Sequence, residues 1–161
     1  MVWTTSGKVD VDQDATQTWM NRFLPPNDAT TFCLSIEELK EPGRVIGSIG
    51  CHDSDPVPEV GYMLRTECWG KGYATEAMKY WLQAWWKLPR RAVEVKLDPN
   101  DRGSTAVVPE VLKADVVVTN HASKRILERF GFITVHEEMV DDHTVDGEKI
   151  KLITLELQRP Q

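Results

Sequence analysis

The chain has no run of 18 consecutive apolar residues and no long apolar stretch behind a positively charged start. That pattern offers neither a membrane-spanning helix nor a secretory leader. Basic charge is also short: 19 Lys and Arg stand against 25 Asp and Glu, a net charge of -6. Such a balance excludes a surface built throughout to neutralise phosphates, though it leaves room for a local basic pocket. Neither nucleic acid nor a membrane is expected as a partner. Cysteine is scarce and odd in number; Cys33, Cys51 and Cys68 lack the C-x-x-C pairing of a zinc site or dithiol redox motif. They read as reduced packing residues of an intracellular, cytoplasmic protein without a bound metal. Two phosphate-binding turns are absent as well. G-x-x-x-x-G-K-[ST] does not occur, and G-x-G-x-x-G fails because Thr75 holds the third glycine's place, which disfavours a nucleotide triphosphatase or a dinucleotide oxidoreductase. Internal repeats and low-complexity tracts are missing too.

What remains is 161 residues, 41% of them hydrophobic, enough for one domain (1–161) around a single core. Trp19, Met20, Phe23 and Leu24 share a stripe of a predicted helix over Ala15 to Leu24, ended by Pro25 and Pro26. Strands are expected over Thr31 to Glu37, Val45 to Gly50 and Glu59 to Arg65, the last running straight into a glycine turn. Ala74, Ala77, Met78, Trp81, Leu82 and Trp85 recur at helical spacing, predicting a helix from Ala74 to Lys87 with one buried face. Val93 to Leu97 is a further strand candidate, followed by a turn or mobile loop from Asp98 to Ser104. Ala114 to Thr119 predicts a strand, Asn120 caps a helix over His121 to Phe130, and Gly131 closes it. Strands at Ile133 to Met139 and Lys149 to Leu157 can join near Asp146 and Gly147.

The densest local signal is Trp69-Gly70-Lys71-Gly72-Tyr73-Ala74. A strand ends, two glycines permit tight geometry, and a strongly patterned helix begins. Unpaired amides at a helix start carry the positive end of its dipole, so they can hold a phosphate or pyrophosphate without side-chain charge. On spacing alone, a plain strand-to-helix connection competes evenly with that reading.

Two separated motifs break the tie. The signature Q/R-x-x-G-x-G/A after a strand is met by Gly70, Gly72 and Ala74, with Trp69 where glutamine or arginine usually stands. Gly61-Tyr62-x-Leu64 precedes Trp69 to Ala77, and Asn120-x-x-Ser123 leads into Ile126 to Phe132. Over roughly Phe32 to Leu157 the chain resembles the GNAT N-acetyltransferases, in particular their ribosomal-protein alanine N-acetyltransferase branch. The resemblance implies an α/β (α+β) fold, a mixed and mainly antiparallel sheet flanked by helices, with acetyl-coenzyme A (acetyl-CoA) as cosubstrate. It implies that amides from Gly70 to Ala74 bind the pyrophosphate, that the strand around Leu64 pairs with the pantetheine amides, and that Asn120 and Ser123 lie beside the pantetheine end. Trp69, Lys71 and Tyr73 belong to the same cofactor-binding set, Lys71 being either a phosphate contact or a solvated lysine. The family's usual first strand and helix are expected to be lacking, with the chain entering near Met1-Val2-Trp3. The open sheet edge would then be covered by a partner chain, as in a homodimer, or reflect a shortened gene model.

Acetyl transfer needs a neutral amine near the thioester, a donor for the developing oxyanion, and a proton for the leaving thiolate. Glu59, ahead of the cofactor strand, is the first candidate base; His52, with an ordinary pKa near neutrality, is the alternative. Many GNAT enzymes carry an acidic tyrosine seven residues after the cap asparagine, where this chain has Leu127. Water or Ser123 could supply the proton instead, since a thiol is a tolerable leaving group. Two further readings stay open: a non-catalytic acyl-CoA-binding module, and an interaction domain that uses Trp81, Trp85 and Trp86 as an interface. The acceptor, a small-molecule or peptide amine, is not specified by the sequence.

Overall fold

The computed structural model of the chain describes residues 10–52, 57–90, 109–142, 145 and 147–160. Nine regular elements lie within them: α1 (Gln13–Met20), β1 (Phe32–Glu37), β2 (Val45–Cys51), β3 (Val60–Leu64), α2 (Tyr73–Trp85), β4 (Val111–Val117), α3 (His121–Arg129), β5 (Ile133–Asp141) and β6 (Lys149–Gln158). Asp12 starts α1 by accepting the Ala15 N–H at 2.8 Å, and one tight turn over Asn21–Phe23 replaces the expected last turn of that helix. The third strand does not run straight into the glycines. A single turn over Thr66–Cys68, with Cys68 buried, separates β3 from Gly70. The candidate strand Val93 to Leu97, the turn after it and Asp146 lie outside the described residues.

The sheet is mixed and mainly antiparallel as expected, and it is divided: the strands form two antiparallel sheets of three, ordered β1-β2-β3 and β4-β6-β5. They meet in parallel at one point, where Glu59 bridges Lys113 and the Lys113 N–H bonds the Pro58 carbonyl at 2.8 Å. Beyond it, among the described residues, β3 and β4 share no ladder.

Strand alternation gives this pair of sheets two different faces. Ile49, Cys51 and Val60 from the first sheet join Leu112, Ala114, Val116, Ile153 and Leu155 from the second in one buried core. Met78, Trp81, Leu82 and Trp85 of α2, with Leu127 of α3 and Phe132 behind it, cover that face. Asn120 caps α3 through its side-chain oxygen, and Gly131, at φ +91°, ends it. The tryptophans are core: Trp81 and Trp85 stack at 5.2 Å between centroids, and Trp81 Nε1–H donates to the Phe32 carbonyl. Trp81 and Trp85 are therefore no interface. Glu59, Gly61 and Met63, one residue out of phase with Val60 and Tyr62, belong to the opposite face. There α1 approaches, its Trp19 and the following Phe23 packing on His52. The cysteines behave as packing groups, and burial pushes the Cys33 thiol up to about 11.

Candidate active site

The glycine turn begins the site. Gly70 and Gly72 have φ of +72° and +87°, the region that glycine enters without strain, and a side chain at either would meet no protein atom within 4 Å. Gly72 is the N-cap of α2 and supplies no side-chain oxygen to it. Open space thus lies beside both glycines at the start of α2, with the positive end of a 13-residue helix dipole behind it. Around the turn, Trp69 donates its indole Nε1–H to the Leu64 carbonyl at 2.9 Å, which pins the turn to the end of β3. The Tyr73 hydroxyl donates to Glu38. Ala74 is buried under the helix, and Lys71 is exposed.

A wedge leads to this turn. The Arg65 N–H bonds the Ile46 carbonyl at 2.8 Å, and in an antiparallel ladder that fixes the phase of every bond upstream. Residues 61, 63 and 65 turn their backbone groups toward β2, so those of Tyr62 and Leu64 point toward β4, where no ladder answers them. One strand edge is open over a few residues, long enough for an extended chain bearing amides. On the far side, the Asn120 side-chain oxygen accepts the Ser123 N–H at 3.2 Å, fixing the first turn of α3. The Tyr62 hydroxyl donates to Ser123 Oγ at 2.9 Å and ties β3 to α3 across the wedge. Leu127 points into the core and is 2% exposed, so the vacant tyrosine position does not face the wedge in this chain.

The opposite face is polar. Continuing the β2–β3 register one step past Cys51 and Val60 sets His52 across from Glu59, so the two candidate bases are neighbours on adjoining strands. Glu59 is half-exposed, 3.8 Å from Lys113 Nζ, which itself grips Asp115 at 2.9 Å. Desolvation, then the nearby Asp115 charge, pushes the Glu59 carboxyl above its usual range, and Lys113 only partly opposes them. Partial desolvation and Arg22 hold the His52 imidazole below its ordinary value. Only Glu59 borders the point where the sheets part. Gly61, next on the same face, has open space where a side chain would stand.

A family model for the acetyltransferase (GNAT) domain matches residues 1–133. The chain belongs to the GNAT acetyltransferase family. Its fold is that of solved GNAT enzymes at low identity. The ribosomal-protein-alanine N-acetyltransferase of Brucella melitensis is 16% identical with a TM-score of 0.68, covering 96% of this chain and 83% of its own. The spermidine N-acetyltransferase of Vibrio cholerae, solved with CoA and spermine, is 14% identical with a TM-score of 0.68, covering 94% and 78%. A microcin self-immunity acetyltransferase in complex with acetyl-CoA and AMP is 15% identical with a TM-score of 0.63, covering 91% and 71%. No curated protein matches the chain. In this GNAT domain, Gly70 and Gly72 lie at the start of α2, Asn120 and Ser123 in the first turn of α3, and Glu59 beside the point where the two sheets meet. Sequence reasoning passed over Tyr62, whose reach to Ser123 spans 61 positions; the Gly61-Tyr62 pair inside the motif was the available signal. Lys113 and Asp115 were missed for the same reason, being brought to Glu59 only by the parallel bridge.

Proposed function

We propose that this GNAT domain transfers the acetyl group of acetyl-CoA to a primary amine, a small molecule or a peptide, by direct attack in a ternary complex. The observation that carries the reading is the open wedge between β3 and β4, ending at unsatisfied α2 amides. Those amides from Gly70 to Ala74 receive the pyrophosphate, with Lys71 free to reach a phosphate and the exposed ring of Trp69 beside it. Tyr62 C=O and Leu64 N–H pair with the pantetheine, while Asn120 and Ser123 line its far end. The amine enters from the face of Glu59 and Gly61, opposite α2 and α3, so that acyl donor and acceptor meet through the gap in the sheet.

Glu59 takes the amine proton directly or through water, its raised pKa bringing it closer to the working range of a general base. Attack on the thioester carbon builds an oxyanion that backbone N–H groups in the wedge can stabilise. Collapse expels the thiolate, and Ser123 delivers a proton to it. Acceptors in the neighbouring complexes, spermine among them, are consistent with an amine. Acidic groups at Glu59 and Asp115 favour a cationic one. No helix among the described residues is long and apolar enough to cross a membrane, and we place the protein in the cytoplasm, as one domain able to form a homodimer. The test is an amine panel that follows thiol release from acetyl-CoA, run beside calorimetry with CoA. Binding with turnover supports the enzyme; binding without turnover leaves the acyl-CoA-binding module; no binding removes both.

A further inference from the structure

Two hydroxyls meet across the wedge. Tyr62 projects from β3 on the core face, and its O–H donates to Ser123 Oγ at 2.9 Å, in the first turn of α3. Packing does not require this bond, because a phenylalanine ring would fill the same volume. Helix capping does not require it either: the Ser123 amide is satisfied by Asn120 Oδ1, and its hydroxyl plays no part in that cap. The direction of donation matters more. With Tyr62 as donor, the Ser123 proton is left to point elsewhere, and it finds no acceptor among the described residues. A chain of two hydroxyls thus ends on a free O–H at the place where the proposed cofactor path runs past α3.

We propose that Tyr62 and Ser123 form a proton relay to the departing thiolate, an inference that rests on the acetyl-transfer reading above. The amine nitrogen bonds to the thioester carbon as its proton passes to Glu59. On collapse the carbonyl re-forms, the C–S bond breaks, and its electron pair goes to sulfur. The Ser123 O–H proton passes to sulfur while the Tyr62 O–H proton passes to Ser123 Oγ. Tyr62 regains a proton from solvent, to which Glu59 releases the one it took, so that the net transfer is from amine to thiol. Burial raises the Tyr62 phenol above its ordinary value, with the Ser123 bond opposing.

The test compares Tyr62→Phe, Ser123→Ala and the double variant by calorimetry with CoA, thermal melting, and turnover with acetyl-CoA and the best amine of the panel. CoA affinity should stay within about twofold in Tyr62→Phe, while turnover drops by roughly tenfold or more in each single variant. The double variant should be no slower than the slower single one, because members of a relay act as a unit. Replacing Tyr62 by a fluorinated tyrosine, which ionises at lower pH, should bring a basic limb into the kcat profile that Tyr62→Phe lacks. Wild-type turnover in Tyr62→Phe, losses that multiply in the double variant, or a CoA affinity that falls in step with turnover overturns the relay; the last outcome would make Tyr62 a brace. A wild-type protein that binds CoA but releases no thiol with any amine overturns the acetyl-transfer reading itself, and the relay with it.

Discussion

Glu59 and His52 face each other at the ends of two strands, yet their surroundings push them in opposite directions. Glu59 is raised and His52 lowered, each toward the other's ordinary range, so pKa alone does not choose between them. Position does, since Glu59 stands at the parting of β3 and β4, and His52 is packed against Trp19 and Phe23. Glu59→Gln should therefore keep CoA affinity and reduce turnover by roughly 10²-fold, the scale of a lost general base. A base must be unprotonated to act. Turnover should fall as pH drops through the raised Glu59 pKa, and that acidic limb should vanish in Glu59→Gln. Steady-state kinetics across pH settles it: a limb that survives in Glu59→Gln and disappears in His52→Ala moves the role to His52. The sequence could nominate both residues because each follows a local pattern. It could not show Lys113 and Asp115 beside Glu59, or Tyr62 on Ser123, because those meetings depend on how two sheets dock.

At the scale of elements, α2 was legible almost to the residue, since its buried face repeats with helical period and its start is marked by glycines. Its predecessor was not. Five polar or mixed residues after Leu64 carry no periodicity, so the turn over Thr66–Cys68 was hidden. The start of α2 makes a separable prediction. Gly72→Ala adds only the cost of a positive φ, of order 1 kcal/mol, because no protein atom lies within 4 Å of the new Cβ. Gly72→Asp adds a negative charge at the anion site, and the charge contributes a further ~1–2 kcal/mol against binding. Calorimetry should thus find CoA affinity reduced by roughly tenfold more in Gly72→Asp than in Gly72→Ala; equal values would return the turn to a plain connection. The buried face of α2 makes another. Trp81→Ala, at a site 1% exposed, should lower unfolding free energy by about 3–5 kcal/mol in urea titration, a loss that an interface tryptophan would not show.

For the molecule as a whole, the two sheets divide the labour by face. Helices α2 and α3 cover one side and bring both helix starts to the wedge; the other side carries Glu59, Gly61 and Met63. A cofactor held on the helix side can present its acyl group through the gap only if the acceptor approaches from the other side. Gly61 has open space there, with nothing within 4 Å of where a Cβ would stand. It has no positive φ and its cross-strand partner is Gly50, so valine fits the strand without backbone strain. Gly61→Val should therefore leave CoA affinity and the fold unchanged while crowding the acceptor. Extra methyl groups in a substrate pocket cost about 1–3 kcal/mol, which raises the acceptor KM by roughly tenfold or more. Kinetics at saturating acetyl-CoA, with the amine varied, isolates that parameter. Should Gly61→Val instead weaken CoA and spare the amine, the two substrates have been assigned to the wrong faces, and Glu59 loses its place as the base along with them.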